Sequence, residues 1–206
     1  PFTIVDEELQ EEIDKIEDSE KRSRATADAL NKQWRNKAVS DTYEPGSVFK
    51  VITAAAALEE NLINNNNTFF CNGSANVAGQ HYDCHKRTGH GSQNLAQAVS
   101  NSCNPAFITI GQLVGINKFS KYFKAFGFGS TTGFDLPGEA SGTFHAAQRF
   151  KDVELATSAF GQTFIVTPLQ LITAYTAITN GGTMVRPHIA KALVDDEGNV
   201  IKKFET

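Results

Sequence analysis

Ser47 and Lys50 are the first residues whose types and spacing could do chemistry. They lie in the stretch Tyr43-Glu44-Pro45-Gly46-Ser47-Val48-Phe49-Lys50. Residues three apart share a helix face, so the lysine amine can reach back to the serine hydroxyl. An amine in a dry, apolar setting loses proton affinity, because burial disfavours the ammonium. It can then take the hydroxyl proton and leave the serine a nucleophile. Unpaired N–H groups at a helix N-terminus would receive an oxyanion. A plain structural reading stands beside this one. Serine is a common N-cap, and a lysine one turn on is ordinary. Against it, Val48 and Phe49 are apolar where a capping serine usually opens a solvated turn. A lysine at the head of a helix also opposes the dipole.

The elements that must position this pair can be read from the punctuation of the chain. Pro45-Gly46 makes a turn, and the apolar run that follows predicts a mostly buried helix over 48–62. Before it, residues 6–37 are highly charged, with apolar residues at helical spacing and a cap at Asp18-Ser19, which predicts a solvated helical cover without chemistry. After it, 68–71 and 75–79, joined through Asn72-Gly73, read as a hairpin. A short extended piece follows over 80–84, then a turn at Gly89-His90-Gly91 and a short helix over 94–99. Ser102, Cys103 and Asn104 form a tight connector into a helix opened by Pro105. Short polar side chains there can point into a cleft. A separate helix capped by Asn117 carries Phe119, Tyr122, Phe123 and Phe126 inward and stops at Gly127. Residues 127–151 are loop. Helices are expected over 152–159 and, behind the capping box Thr167-Pro168-Leu169-Gln170, to about 179. A hairpin pairs 187–194 with 200–204.

Composition narrows the function. The 206 residues include 40% apolar types and 15 phenylalanines, enough for a sizeable core. A net charge of −4 without a basic block argues against nucleic acid. No apolar run is long enough to span a membrane, and no signal peptide is present. The chain starts at Pro1 and stops within an expected strand, and is read as a piece of a longer protein.

Cys71, His81, Asp83, Cys84 and His85 fall within fifteen residues. Two thiolates with one imidazole and one carboxylate, or with His85 as an alternate imidazole, would make a closed tetrahedral site suited to structural zinc. His81 and Asp83 share one side of an extended piece. A Cys71–Cys84 disulfide or two packed thiols remain open. His90 is read as a turn residue and Cys103 as a small spacer.

Ser47-Val48-Phe49-Lys50 followed after roughly fifty residues by Ser102-Cys103-Asn104 resembles the first two motifs of penicillin-binding proteins and serine β-lactamases. The surroundings resemble class B penicillin-binding proteins: Trp34-Arg35-Asn36, Tyr43-Glu44-Pro45-Gly46, Gly89-His90-Gly91, Thr132-Gly133-Phe134-Asp135-Leu136-Pro137-Gly138-Glu139, Ala156-Thr157-Ser158-Ala159-Phe160-Gly161-Gln162 and Thr167-Pro168-Leu169-Gln170. Cysteines at 71 and 84 are frequent in that family. The resemblance implies an α/β parent domain, an antiparallel sheet flanked by helices. This piece is then predominantly α with one or two small β hairpins: a helical cover over 1–38, a core over 47–180 and a hairpin over 186–206 leading towards a further strand.

The resemblance also implies a D,D-transpeptidase that cross-links peptidoglycan stem peptides, is acylated by β-lactams and needs no cofactor. Its expected place is the outer face of the bacterial cell membrane, with an N-terminal anchor and membrane partners in cell-wall synthesis. Ser47 is then the nucleophile, Lys50 its base, Ser102 a proton relay and Asn104 a ligand to the substrate amide. Gly161, Gln162 and Thr163 would line the substrate.

Three departures matter. No Lys-Thr-Gly or Lys-Ser-Gly occurs, so the piece alone should be catalytically incomplete. Thr163 stands where glycine is usual, and Cys103 where serine or another small residue is usual. Rival readings are a serine β-lactamase and a non-catalytic β-lactam sensor or scaffold.

Overall fold

The structure, a computed structural model, describes residues 3–204. Two charged helices come first, α1 (Glu7–Asp14) and α2 (Ser19–Trp34). Asp6 and Asp18 cap them by accepting from the Leu9 and Lys21 N–H groups. Ile13 and Ala29 are their buried residues. A short α3 (Lys37–Ser40) leads to the stretch before Ser47.

Ser47 lies in a 3-10 turn, Gly46–Phe49, that feeds α4 (Lys50–Glu59). Helix α4 ends three residues before the expected 62: the Glu60 N–H caps back onto Ala56 and Leu58, and Asn61 takes a positive φ of 54°. The long α6 (Asn104–Ala125) packs against α4 and against α7 (Asp152–Ser158). The two helices expected over 105–126 are both present within this span and meet at Gly115, whose φ of 74° and ψ of 161° are not helical. Thr167 and Gln170 exchange hydrogen bonds at 2.9 and 3.0 Å to open α8 (Pro168–Thr179).

The β pairing differs from the expected hairpin. Strand β1 (Thr68–Cys71) pairs with β4 (Gly91–Asn94), while β2 (Ser74–Val77) pairs with β3 (Gln80–Asp83). Asn72-Gly73 is therefore a crossing between two small sheets, not a hairpin turn. The true turn is Ala78-Gly79, both at positive φ. Helix α5 (Leu95–Ser100), capped by Asn94, follows β4 directly. At the end of the chain β5 (Ala192–Val194) pairs with β6 (Val200–Lys203). Among the described residues the three sheets are all two-stranded and antiparallel.

The core is aromatic. Phe49 lies 4.7–6.2 Å, ring centre to ring centre, from Phe119, Phe123, Phe128 and Phe164. Phe144 and Phe150 extend the cluster. Tyr122 and Phe126 are only half-buried, and Tyr122 turns its hydroxyl to Glu60. Because Phe49 sits between Ser47 and Lys50, burying its ring, worth about 1.5–3 kcal/mol, also fixes the turn that carries the serine.

Candidate active site

The turn that carries Ser47 is anchored on both sides. The Gly46 N–H donates to Gly161 O at 2.8 Å, and Tyr175 OH donates to Val48 O at 2.5 Å. Ser47 is exposed, whereas Lys50 is only 2% exposed. The Lys50 amine is held at 3.1 Å from Ser47 Oγ, 2.9 Å from Ser102 Oγ, 2.7 Å from Ser102 O and 2.8 Å from Asn104 Oδ1. Four of the predicted site residues thus meet at one nitrogen.

Two of those four neighbours can only accept. Ser102 O is a carbonyl, and Asn104 presents its oxygen because Asn104 Nδ2 donates to Asp83 O at 3.0 Å. They take two N–H bonds of the amine. The position left over faces the two hydroxyls. It holds a third N–H in the ammonium and a lone pair in the neutral amine, and the lone pair can accept from either hydroxyl. Burial pushes Lys50 down to about 8, against the opposing charges of Cys103 and Cys84 as thiolates. Ser102 reaches this position with a positive φ of 47°, a costly conformation for a non-glycine residue.

The segment 161–163 forms the neighbouring edge. Thr163 has φ 67° and is held by four groups: its N–H donates to Glu44 Oε1 at 2.8 Å, its Oγ1 donates to Gln162 O at 2.6 Å, and the same Oγ1 lies 2.7 Å from Thr157 Oγ1 and 3.1 Å from His145 Nε2. A positive φ is what glycine adopts freely, so this threonine is strained but tied. Gln162 is exposed beside it. A groove lined by Glu59, Tyr122, Phe126, Ile178 and Met184 lies elsewhere on the surface and contains none of these side chains.

The predicted metal ligands do not converge. Cys71 and Cys84 come together, but His81 and Asp83 do not join them. In β3 the half-buried side chain is Tyr82, so His81 and Asp83 share the opposite, solvent face. There His81 bonds Asn76 and Asp83, and Asp83 pairs with Arg87. His90 and Cys103 take their places: the ligand atoms of Cys71, Cys84, His90 and Cys103 all lie within 4.8 Å of one another, so this cluster could hold a metal ion. His85 stays exposed, with Nδ1 3.9 Å from Cys84 Sγ. Sequence reasoning missed His90 and Cys103. The alternation around Tyr82 was the available signal against His81 and Asp83.

An exposed serine, a buried lysine and a second serine sharing one amine are groups that acyl transfer to a serine can use. The chain belongs to the penicillin-binding protein transpeptidase domain family, whose model matches residues 7–205. It is 49% identical over 162 residues to stage V sporulation protein D of Bacillus subtilis, covering 78% of this chain and 25% of that protein. It is 30% identical to the peptidoglycan D,D-transpeptidase MrdA of Acinetobacter baumannii, covering 80% of this chain and 26% of that protein. The chain therefore spans about a quarter of the length of these curated relatives. Penicillin-binding protein 3 of Mycobacterium tuberculosis complexed with aztreonam superposes with a TM-score of 0.74 at 30% identity, over 82% of this chain and 38% of that one. The Helicobacter pylori PBP2 solved in complex with MreC superposes with a TM-score of 0.70 at 30% identity, over 83% of this chain and 34% of that one. Among the described residues no helix is long and apolar enough to cross a membrane.

Proposed function

We propose that these residues form the acylation site of a peptidoglycan D,D-transpeptidase that works through a serine acyl-enzyme and is a target of β-lactams. The observation that carries this reading is the single buried amine within hydrogen-bonding reach of both Ser47 Oγ and Ser102 Oγ. Neutral Lys50 accepts the Ser47 proton as Oγ attacks the carbonyl of the penultimate D-alanine. The Ser47 N–H, in the first turn, donates to the oxyanion. The proton then passes from Lys50 through Ser102 Oγ to the departing amine nitrogen. The C–N bond breaks, D-alanine leaves, and the acyl group stays on Ser47 as an ester. An amine of a neighbouring stem peptide attacks that ester, its proton returns to Ser47 Oγ, and the cross-link is formed. Asn104, with its oxygen on Lys50, is placed to orient both the amine and the substrate amide. Gly161, Gln162 and Thr163 line the substrate edge.

In this reading residues 3–38 cover a core over 47–180 that holds the site, and the β5–β6 hairpin leads on to a sheet strand. The whole protein acts at the outer face of the cell membrane with membrane partners of cell-wall synthesis. The chemistry needs no cofactor, and a bound metal would be structural. The test uses the full-length protein with a D-Ala-D-Ala-terminated stem peptide and an acceptor amine. Release of D-alanine with amide formation, and a long-lived β-lactam adduct, support the reading. Rapid β-lactam turnover would make it a β-lactamase, and acylation by neither compound would make it a scaffold.

A further inference from the structure

Three thiols and one imidazole converge beside the second motif, from four separate places in the chain. Cys71 ends β1, Cys84 follows β3, His90 precedes β4, and Cys103 lies between Ser102 and Asn104. The pairing of β1 with β4 sets Cys71 opposite Gly91 and so beside His90. The Cys84 N–H donates to Gly73 O at 2.8 Å, which draws Cys84 to the same point. All three thiols are buried, at 1%, 1% and 0% exposure, and His90 is half-buried. His90 Nδ1 lies 3.6 Å from Cys84 Sγ.

We propose that Cys71, Cys84, His90 and Cys103 form a structural zinc site that fastens the Ser102–Asn104 connector to the two small sheets. Zinc is bound tetrahedrally by sulfur at about 2.3 Å and nitrogen at about 2.0–2.1 Å, which sets ligand atoms roughly 3.5–3.8 Å apart. The observed limit of 4.8 Å needs a contraction of about 1.0–1.3 Å at most. Three sulfurs and one nitrogen are a soft, closed donor set, which selects zinc and leaves no open position for substrate or water. Gln93 Nε2 is buried without a hydrogen-bond partner. An odd number of thiols cannot all pair as disulfides. Binding converts the three thiols to thiolates and releases their protons to solvent.

The metal would act at one remove from the chemistry. Cys103 separates Ser102, which holds a strained φ, from Asn104, and both contact Lys50. Clamping Cys103 is a way to hold that strain in place. The ligand set stands on geometry alone, and only this positioning role rests on the transpeptidase reading.

The experiment measures zinc and free thiols in full-length protein purified with zinc and a reductant. Expected is about one zinc per chain, with cobalt substitution giving the sulfur-to-cobalt charge-transfer bands of a tetrahedral thiolate site. His90→Ala and Cys71→Ser should each lose most of the metal, while His85→Ala and the double variant His81→Ala/Asp83→Ala keep it. Ser47→Ala should keep the metal and lose labelling by a fluorescent penicillin, so failure of the site and failure of the transpeptidase reading are separable. Chelation should slow penicillin labelling at least several-fold, with recovery on adding zinc. No metal in the zinc-replete wild type, a mass two hydrogens lower from a disulfide, or zinc unmoved by His90→Ala would overturn the site. Labelling indifferent to chelation would overturn its positioning role.

Discussion

Gly161 and Gly46 approach so closely that a Cβ on Gly161 would stand 2.0 Å from Gly46 O. The same pair is joined by the Gly46 N–H to Gly161 O hydrogen bond of 2.8 Å. The edge of the cleft is thereby bolted to the turn that presents Ser47. Gly161 also has φ 86°. Gly161→Ala should cost more than about 2 kcal/mol and slow β-lactam acylation. Gly198→Ala, also at positive φ but facing open space, should cost about 1 kcal/mol and leave acylation unchanged. Thermal denaturation and acylation rates of both variants check this.

Acylation should follow a one-proton limb that rises with pH and levels off above about 8, where burial holds Lys50. Below it the ammonium has no lone pair for Ser47. The unfolded chain keeps this lysine near about 10.4. Between about 8 and 10.4 the unfolded state therefore binds more protons, and stability should rise with pH across that window. Lys50→Met should abolish acylation and remove this stability rise. Stopped-flow acylation and denaturant midpoints against pH measure both.

Thr163 sets a strained backbone against the contacts of its hydroxyl. Thr163→Gly relieves φ 67° but loses the links to Thr157 and His145. Relief and loss are each about 1 kcal/mol, so stability should change little. Thr163→Ala keeps the strain and loses the links, and should be less stable than Thr163→Gly by about 1 kcal/mol. The order of the two melting temperatures is the readout.

Phe49→Ala should destabilise by about 3–5 kcal/mol, since its ring is buried among Phe119, Phe123, Phe128 and Phe164. Phe49→Leu should cost less. Urea midpoints give both, and acylation should fall along with stability because this ring fixes the Ser47 turn.

Local signals were legible in the sequence where the physics is local. Asp18, Asn94 and the Thr167–Gln170 pair mark their helix starts because each side chain bonds a backbone N–H within three residues. Ser47 and Lys50 meet through one helical step. Ser102 and Asn104, however, reach Lys50 only through the packing of α4 on α6, and it was the family resemblance that tied them to it. The pairing of β1 with β4 spans about twenty residues and is set by burial of Phe69 and Cys71. Asn72-Gly73 has hairpin chemistry but serves as a crossing, since Gly73 lies against Arg87 O. His90 escaped notice for the same reason: only that long-range pairing sets it against Cys71.

Ser47 Oγ is the atom that should carry the acyl group. Full-length protein incubated with benzylpenicillin, digested and read by peptide mass spectrometry, should carry one penicilloyl group on the peptide containing Ser47, with none on Ser47→Ala. An adduct on Ser102 or a cysteine, or an unchanged adduct in Ser47→Ala, would contradict it.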